Sequence, residues 1–325
     1  MPSLSPAVAE VRRAVRVVLA ERAGERVIVA LSGGADSLAL TAAAAHEATA
    51  ANVAVTAVIV DHGLQDGSAG IAGQAATQAR ALGVDAIVVA ADVERNHADG
   101  PEAAAREARY AALERVAAEV GASAILLGHT RDDQAETVLL GLARGSGAAS
   151  LMGMAPVMGL RVRPMLDVSR ETTRAACAAE GLAPWHDPHN TDPSFARVRV
   201  RTTVLPVLEA ELGPGIAEAL ARTAEQLRED HDAFQSMIDE TIEDIVEPAE
   251  AGIAISVPAL AANPAALRNR IIRYVVSSEF HVSLTRSQTL EVARLVTDWR
   301  GQGPIDLPAC TARREAGKVI IAARP

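Results

Sequence analysis

The sequence predicts an α/β protein: a doubly wound, mainly parallel five-stranded sheet, then a helical linker and a small mixed α+β domain. Three observations carry that expectation. Apolar runs alternate with Ala-rich helical stretches over residues 26–164. The polar clusters sit just after apolar runs, where ligands bind beyond the carboxyl ends of parallel strands. Past residue 214 the pattern gives way to a long acidic helical stretch and then to a short mixed segment.

The five runs are "RVIVAL" (26–31), "VAVTAVIVD" (53–61), "VDAIVVA" (84–90), "SAILLGH" (123–129) and "LRVRPM" (160–165). Strands covered on both faces read as near-continuous apolar runs, and the helical stretches between them supply the crossovers. Residues 1–214 are expected to form this sheet domain. Residues 165–201 within it read as a loop-rich annex, because "APWHDPHNTDPSF" is dense in prolines and turn formers. Residues 215–250 read as an acidic helical linker, and 251–325 as a small C-terminal domain with helical signals at 264–280 and 285–298.

Net charge is −10, but its placement matters more than its sum. Ten acids against the single base Arg228 fall between Glu225 and Glu250, so the remainder is close to neutral and a basic groove elsewhere is allowed. Lys318 is the only lysine, and arginine supplies the other cations. Arginine suits planar, bidentate contacts to phosphate. Cys177 and Cys310 are far apart with no CxxC, which argues against a disulfide framework, a zinc site and a paired-thiol relay. No uninterrupted apolar run is long enough for a membrane span, and charges at Glu10, Arg12, Arg13 and Arg16 interrupt any secretory h-region. The expectation is a cytoplasmic protein with no membrane partner.

"SGGADS" (32–37) separates the first apolar run from a helical stretch. Gly33 and Gly34 let backbone N–H groups approach a phosphate, the helix N-terminus adds partial positive charge, and Ser32 and Ser37 add hydroxyls. It is neither a GxxxxGK[ST] loop nor a GxGxxG loop. Asp36 is out of place beside a bound phosphate unless it holds Mg²⁺ that bridges to phosphate oxygens. Downstream, "GHTRDDQAET" (128–137) puts Asp132, Asp133 and Glu136 within one and a half helical turns, which is unfavourable unless a cation intervenes. Thr130 there fits an N-cap with Asp133 at the third helical position. Arg197, Arg199 and Arg201 concentrate guanidiniums within five residues.

These stretches resemble one family. "SGGADS" is similar to the SGGxDS signature of the N-type ATP pyrophosphatases, the PP-loop enzymes. "DHGLQ" (61–65), "PEAAAREARY" (101–110), "GHTRDDQAET", "RGSGAASLMGM" (144–154) and "WHDPHNTDPSFARVRVR" (185–201) resemble, in order, the motifs of the tRNA(Ile)-lysidine synthetases. Gln65, Thr130 and Val198 depart from the family pattern, which has Arg, His and Asn there. The resemblance spans residues 24–208 and implies a ligase that uses ATP and Mg²⁺. Its implied partners are free L-lysine and a tRNA(Ile) with a CAU anticodon, and a homodimer is a family-level expectation.

By that resemblance Ser32, Gly33, Gly34, Asp36, Ser37, Asp61, His62 and His129 bind the nucleotide, and Asp36 and Asp132 serve the metal. Asp133 and Glu136 hold the lysine. Arg199 and Arg201, with Arg197, stabilise the adenylate or hold the anticodon backbone, and Arg106, Arg109, Arg144 and Arg197 contact RNA or substrate. The C-terminal segment is expected to bind tRNA. Two other readings stay open here: a thiolase-type PP-loop enzyme, and a catalytically inactive nucleotide- or tRNA-binding module.

Overall fold

The computed structural model describes residues 4–61, 63, 67–91, 101–145, 147–249 and 252–324, with the side chains of residues 101–103 outside that set. His62 and Gln65 therefore lie outside the described residues, as does the Glu102 side chain. The chain divides into two compact units between Leu227 and Arg228.

In the first unit the elements run α1 (Pro6–Ala20), β1 (Arg26–Ala30), α2 (Ala35–Ala51), β2 (Ala54–Asp61), α3 (Ser68–Ala81), β3 (Asp85–Ala90), α4 (Pro101–Val120), β4 (Ala124–Leu126) and α5 (Arg131–Arg144). Then follow α6 (Ala148–Leu151), β5 (Val157–Met158), β6 (Arg161–Val162), α7 (Arg170–Ala179), α8 (Ala196–Arg199), a π-helical turn (Val200–Val204) and α9 (Leu205–Leu212). The sheet order is β3-β2-β1-β4-β6-β5. All neighbours are parallel except the last pair, β5–β6. The expected five-stranded sheet thus has a sixth strand. β5 has only two residues, Val157 and Met158, both exposed, so it carries no buried apolar run for sequence reading to detect.

Strand order reverses at β1. The chain moves outward through β2 and β3, then returns to place β4 on the other side of β1. Open parallel sheets form a crevice where such a reversal occurs. Both principal motifs, Ser32–Ser37 after β1 and Gly128–Glu136 after β4, leave the sheet at this point.

The sheet is covered on both faces. Leu38, Leu40 and Ala44 of α2 pack with Val11, Val15 and Leu19 of α1 and Val27 and Val29 of β1. On the other face Tyr110, Leu113, Val116 and Ala117 of α4 cover Ile28, Val58 and Ile125. Helix α2 is buried almost all round, and its Ala-rich sequence lets neighbours approach closely.

The segment 215–250, which reads as an acidic helical linker, holds the helix α10 (Ile216–Ile245), and this helix is amphipathic. Ile216, Ala217 and Leu220 pack with Ala135, Val200 and Leu205. Phe234, Ile238, Ile242 and Ile245 enter the core of the second unit. The acidic residues occupy the remaining faces, which is why composition alone suggests a connector.

The second unit completes with β7 (Val246–Ala249), β8 (Gly252–Ser256), α11 (Val257–Ala262), α12 (Ala265–Phe280), α13 (Arg286–Thr297), β9 (Ile305–Asp306), β10 (Cys310–Glu315) and β11 (Lys318–Ala323). These strands form an antiparallel sheet of order β7-β8-β11-β10-β9. Among the described residues no helix is long and apolar enough to cross a membrane.

Candidate active site

The cradle begins where β1 ends. Gly33 has φ +86°, a conformation that side-chain-bearing residues rarely adopt, and Gly34 is the N-cap of α2. Ser37 Oγ donates to Gly34 O and accepts from Ser32 N–H, and it lies 3.0 Å from Ser32 Oγ. The loop is therefore held from within. Trp185 N–H donates to Gly33 O at 2.9 Å, which ties residues 183–187 to the cradle. The Gln78 side chain grips the same segment through both backbone groups of Ala183.

β4 approaches from the side. A Cβ on Gly128 would stand 3.1 Å from the backbone of Asp36 and Ser37. Only a glycine lets the β4 exit touch the first turn of α2. Gly128→Ala is expected to push that turn outward, at about 1–3 kcal/mol of overpacking, and to weaken ATP binding. The urea midpoint and an ATP titration measure both effects, and unaltered ATP affinity would refute the link.

Around this junction lies a cavity of about 820 Å³, large enough for a nucleotide with a second small substrate. Its lining includes Ser32, Gly34, Asp36, Ser37, Asp61, His129 and Asp133. Arg106 and Arg109 of α4 reach it, as do Arg197 and Arg201. The first strand ends contribute an apolar wall through Leu31, Val58, Ile59 and Val60.

The cation demanded by three neighbouring carboxylates is an arginine that sequence reading passed over. Arg170, the first residue of α7, donates to Asp133 Oδ1 at 2.8 Å and to Glu136 Oε1 at 3.0 Å. Its guanidinium also lies 3.9 Å from Asp36 and 4.0 Å from Asp132. Arg201 adds Nε–H to Glu136 Oε1 at 2.7 Å and Nη2–H to Oε2 at 2.9 Å. Arg197 pairs with Glu136 Oε2 at 3.3 Å.

Two electrostatic environments result. Burial works against ionisation of Asp133, but Arg170, the Thr130 N–H and Arg197 outweigh it and hold its carboxyl below the ordinary value. At Asp36 burial prevails and holds the carboxyl above the ordinary value, against a Thr173 hydroxyl hydrogen bond and the Arg170 and Arg174 charges. Burial, followed by Arg109, Arg163 and Arg106, pushes the His129 imidazole down to about 3 despite Asp133, so it is neutral at physiological pH.

Several expected site residues stand elsewhere. Glu136 is fully buried, does not line the cavity, and has both oxygens engaged by arginines, so here it anchors guanidiniums. Asp132 accepts the Arg170 backbone N–H at 2.8 Å and is also outside the lining. Arg199 is exposed and donates to Pro193 O and Ser194 O. Arg197 and Arg201 are four apart on one helix face, and Arg199 between them turns away. Arg144 is exposed in the last turn of α5, at the opposite end from the cavity residues. Thr130 is the N-cap, with Asp133 Oδ2 accepting from its N–H at 2.8 Å and its hydroxyl at 3.0 Å.

Arg170, Thr173 and Arg174 were missed, although "SRETTR" carries a signal. A cation in the first turn of a helix opposes the helix dipole, so Arg170 needs a carboxylate partner to sit there. Cys177 is also close, donating to Ala35 O at 3.3 Å, and burial pushes its thiol up to about 11. Cys310 is buried in the other unit. Neither cysteine suits thiolate chemistry.

Known proteins resemble both parts of this chain. A PP-loop domain matches residues 8–208, and a TilS substrate binding domain matches residues 255–320. The tRNA(Ile)-lysidine synthase of Leifsonia xyli is 59% identical over 295 residues, 90% of this chain and 89% of that protein. The protein of the same name from Thermobifida fusca is 50% identical over 98% of both chains. Among solved structures, a U34-tRNA thiolase from Methanococcus maripaludis is similar with a TM-score of 0.58. It is 20% identical over 69% of this chain and 80% of that one, a likeness of fold alone. The chain therefore belongs to the PP-loop family and, within it, to the tRNA(Ile)-lysidine synthases.

Proposed function

We propose that this chain joins free lysine to C2 of the wobble cytidine in a CAU-anticodon tRNA(Ile). The cytidine O2 attacks the α-phosphate of ATP and pyrophosphate leaves. The lysine ε-amine then attacks C2, AMP leaves with the former O2, and the amine gives up a proton. The single observation that carries this reading is the shared cavity. A phosphate cradle and a mixed carboxylate–guanidinium cluster line the same space at the strand-order reversal.

The residues divide the work. The Gly33–Ser37 turn and α2 N-terminus supply N–H groups and partial positive charge to the triphosphate. Preorganised donors at a phosphorus that gains charge need no reorganisation during reaction. Leu31, Val58 and Ile59 offer an apolar wall to the adenosine. The wobble base must leave its stack to reach the phosphate, at a cost of a few kcal/mol.

Free lysine carries both a carboxylate and ammonium groups. A cavity with Asp36, Asp133, Arg174, Arg197 and Arg201 in its lining suits such an amphoteric ligand. Asp133 Oδ1 keeps Arg170 at 2.8 Å, but its second contact, to Arg201, is long, 3.5 Å, and an ammonium group would take that place.

The residues fit Mg²⁺ sparingly. Among the described residues no cluster of three or more His, Cys, Asp or Glu is arranged for a metal. Mg²⁺ bound to ATP asks for only one or two carboxylates, the phosphates and water supplying the rest. Asp36, under-compensated and beside the cradle, meets that demand. When bound there, Mg²⁺ would neutralise charge on the phosphate oxygens.

Incubation with ATP, radiolabelled lysine and CAU-anticodon tRNA(Ile) should place label in the RNA and release AMP and pyrophosphate. Label-free RNA with intact ATP binding would overturn the reading and favour an inactive module. The thiolase reading gains no support from two buried, unpaired thiols.

A further inference from the structure

Beside the cavity, where Arg106 and Arg109 line it, stands a second cationic cluster that the phosphate cradle does not account for. It is built on Tyr110 of α4, a residue 5% exposed. Arg161 lies over its ring at 3.9 Å, with Arg106 and Arg109 at 5.1 and 5.3 Å. Arg163, also 5% exposed, follows two residues after Arg161 and donates to Ala155 O. Arg161 is paired with Glu114 at 2.7 Å.

Four buried polar atoms in this cluster have no hydrogen-bond partner: Arg109 Nε, Tyr110 Oη, His129 Nδ1 and Arg163 Nε. Burial raises the phenol, but Arg106 and the adjacent Arg109 and Arg163 guanidiniums outweigh it and hold the Tyr110 hydroxyl below its ordinary value. Buried polar groups are almost always paired, so several orphans in one place mark a missing ligand. The charges specify its sign. Burial depresses the Arg163 guanidinium, the Tyr110 oxygen works against it, and Arg106 and Arg161 add to the depression; burial and then the arginines depress His129. Guanidiniums this crowded gain most from an anion with several acceptor oxygens.

We propose that Arg109, Arg163, His129 and the Tyr110 hydroxyl form an oxyanion subsite for a phosphate group, with Arg106 at its mouth. Arg106, Arg109 and His129 line the main cavity, so the occupant is a substrate group of the proposed reaction, and the inference rests on that reading. Neutral His129 serves as one hydrogen-bond donor, through whichever ring nitrogen carries the proton. Two groups present in the reaction offer this chemistry: a backbone phosphodiester beside the wobble cytidine, and the departing pyrophosphate.

Arg109→Gln distinguishes them. Three quantities are compared with those of the unaltered chain: the Kd for CAU-anticodon tRNA(Ile) against salt, the Ki of inorganic pyrophosphate in lysine transfer, and the Kd for ATP alone. If the occupant is RNA, the variant binds tRNA about tenfold more weakly and its salt slope falls by about one. If it is pyrophosphate, the Ki rises about tenfold and the RNA slope is unchanged. In either case Arg109→Lys recovers part of the loss. Should Arg109→Gln not fold, Arg106→Gln, at an exposed position, is read the same way. A variant that matches the parent in both tRNA slope and pyrophosphate Ki overturns the subsite. Lysine transfer by the unaltered chain tests the function itself, so the two ideas fail separately.

Discussion

Glu136→Ala is expected to cost stability on the order of 3–5 kcal/mol and to remove both half-reactions, not lysine use alone. Glu136 is fully buried, and its carboxylate is the common partner of Arg170, Arg197 and Arg201. Without it, Arg170 keeps Asp133 as its near partner while remaining itself almost buried. An unpaired buried charge is far more costly than an absent pair. The same loss frees Arg201, whose two hydrogen bonds to Glu136 hold it at the cavity edge. Urea unfolding, ATP–pyrophosphate exchange with tRNA present, and lysine transfer form the test. A wild-type unfolding midpoint with only a raised lysine KM would show that Glu136 meets lysine directly, as family resemblance suggests.

Glu136 also marks where sequence reasoning stopped. The unfavourable spacing of Asp132, Asp133 and Glu136 says that a cation must intervene, but it cannot say which. The partner is Arg170, 34 residues beyond Glu136, brought there by the crossover into α7. Such a pairing follows from topology and has no local pattern. The cradle was legible because all its parts are contiguous: an apolar strand, two glycines, two serines and a helix start. The parallel sheet was legible for the same reason, while β5 was too short and too exposed to register. The RVRVR stretch fits either a strand, with all three arginines on one face, or a helix. It is a helix with a π-helical turn, so Arg197 and Arg201 share the site and Arg199 does not. The acidic helix was legible as a helix, but its charge count concealed an apolar stripe at Phe234, Ile238, Ile242 and Ile245.

Asp36→Asn is expected to remove pyrophosphate release, by about 100-fold or more, while leaving the fold as stable or more stable at neutral pH. The two effects have one origin. Burial raises the Asp36 carboxyl above its ordinary value, and neither Thr173 nor the Arg170 and Arg174 charges offset it fully. The folded chain thus binds the Asp36 proton more tightly than the unfolded chain does. Its contribution is most favourable below the ordinary Asp value of 3.8 and is lost as pH rises through the higher folded value. Asparagine carries no such penalty, so the variant's advantage should grow between about pH 4 and pH 7. Sites tuned for catalysis commonly trade stability in this way. The under-compensated charge is what a divalent ion on the triphosphate would meet, and a neutral amide cannot replace it. Urea midpoints at both pH values, read beside exchange rates, test the pair of effects. Retained exchange removes Asp36 from the ATP step, and a variant less stable at pH 7 than at pH 4 relative to the parent overturns the electrostatic account.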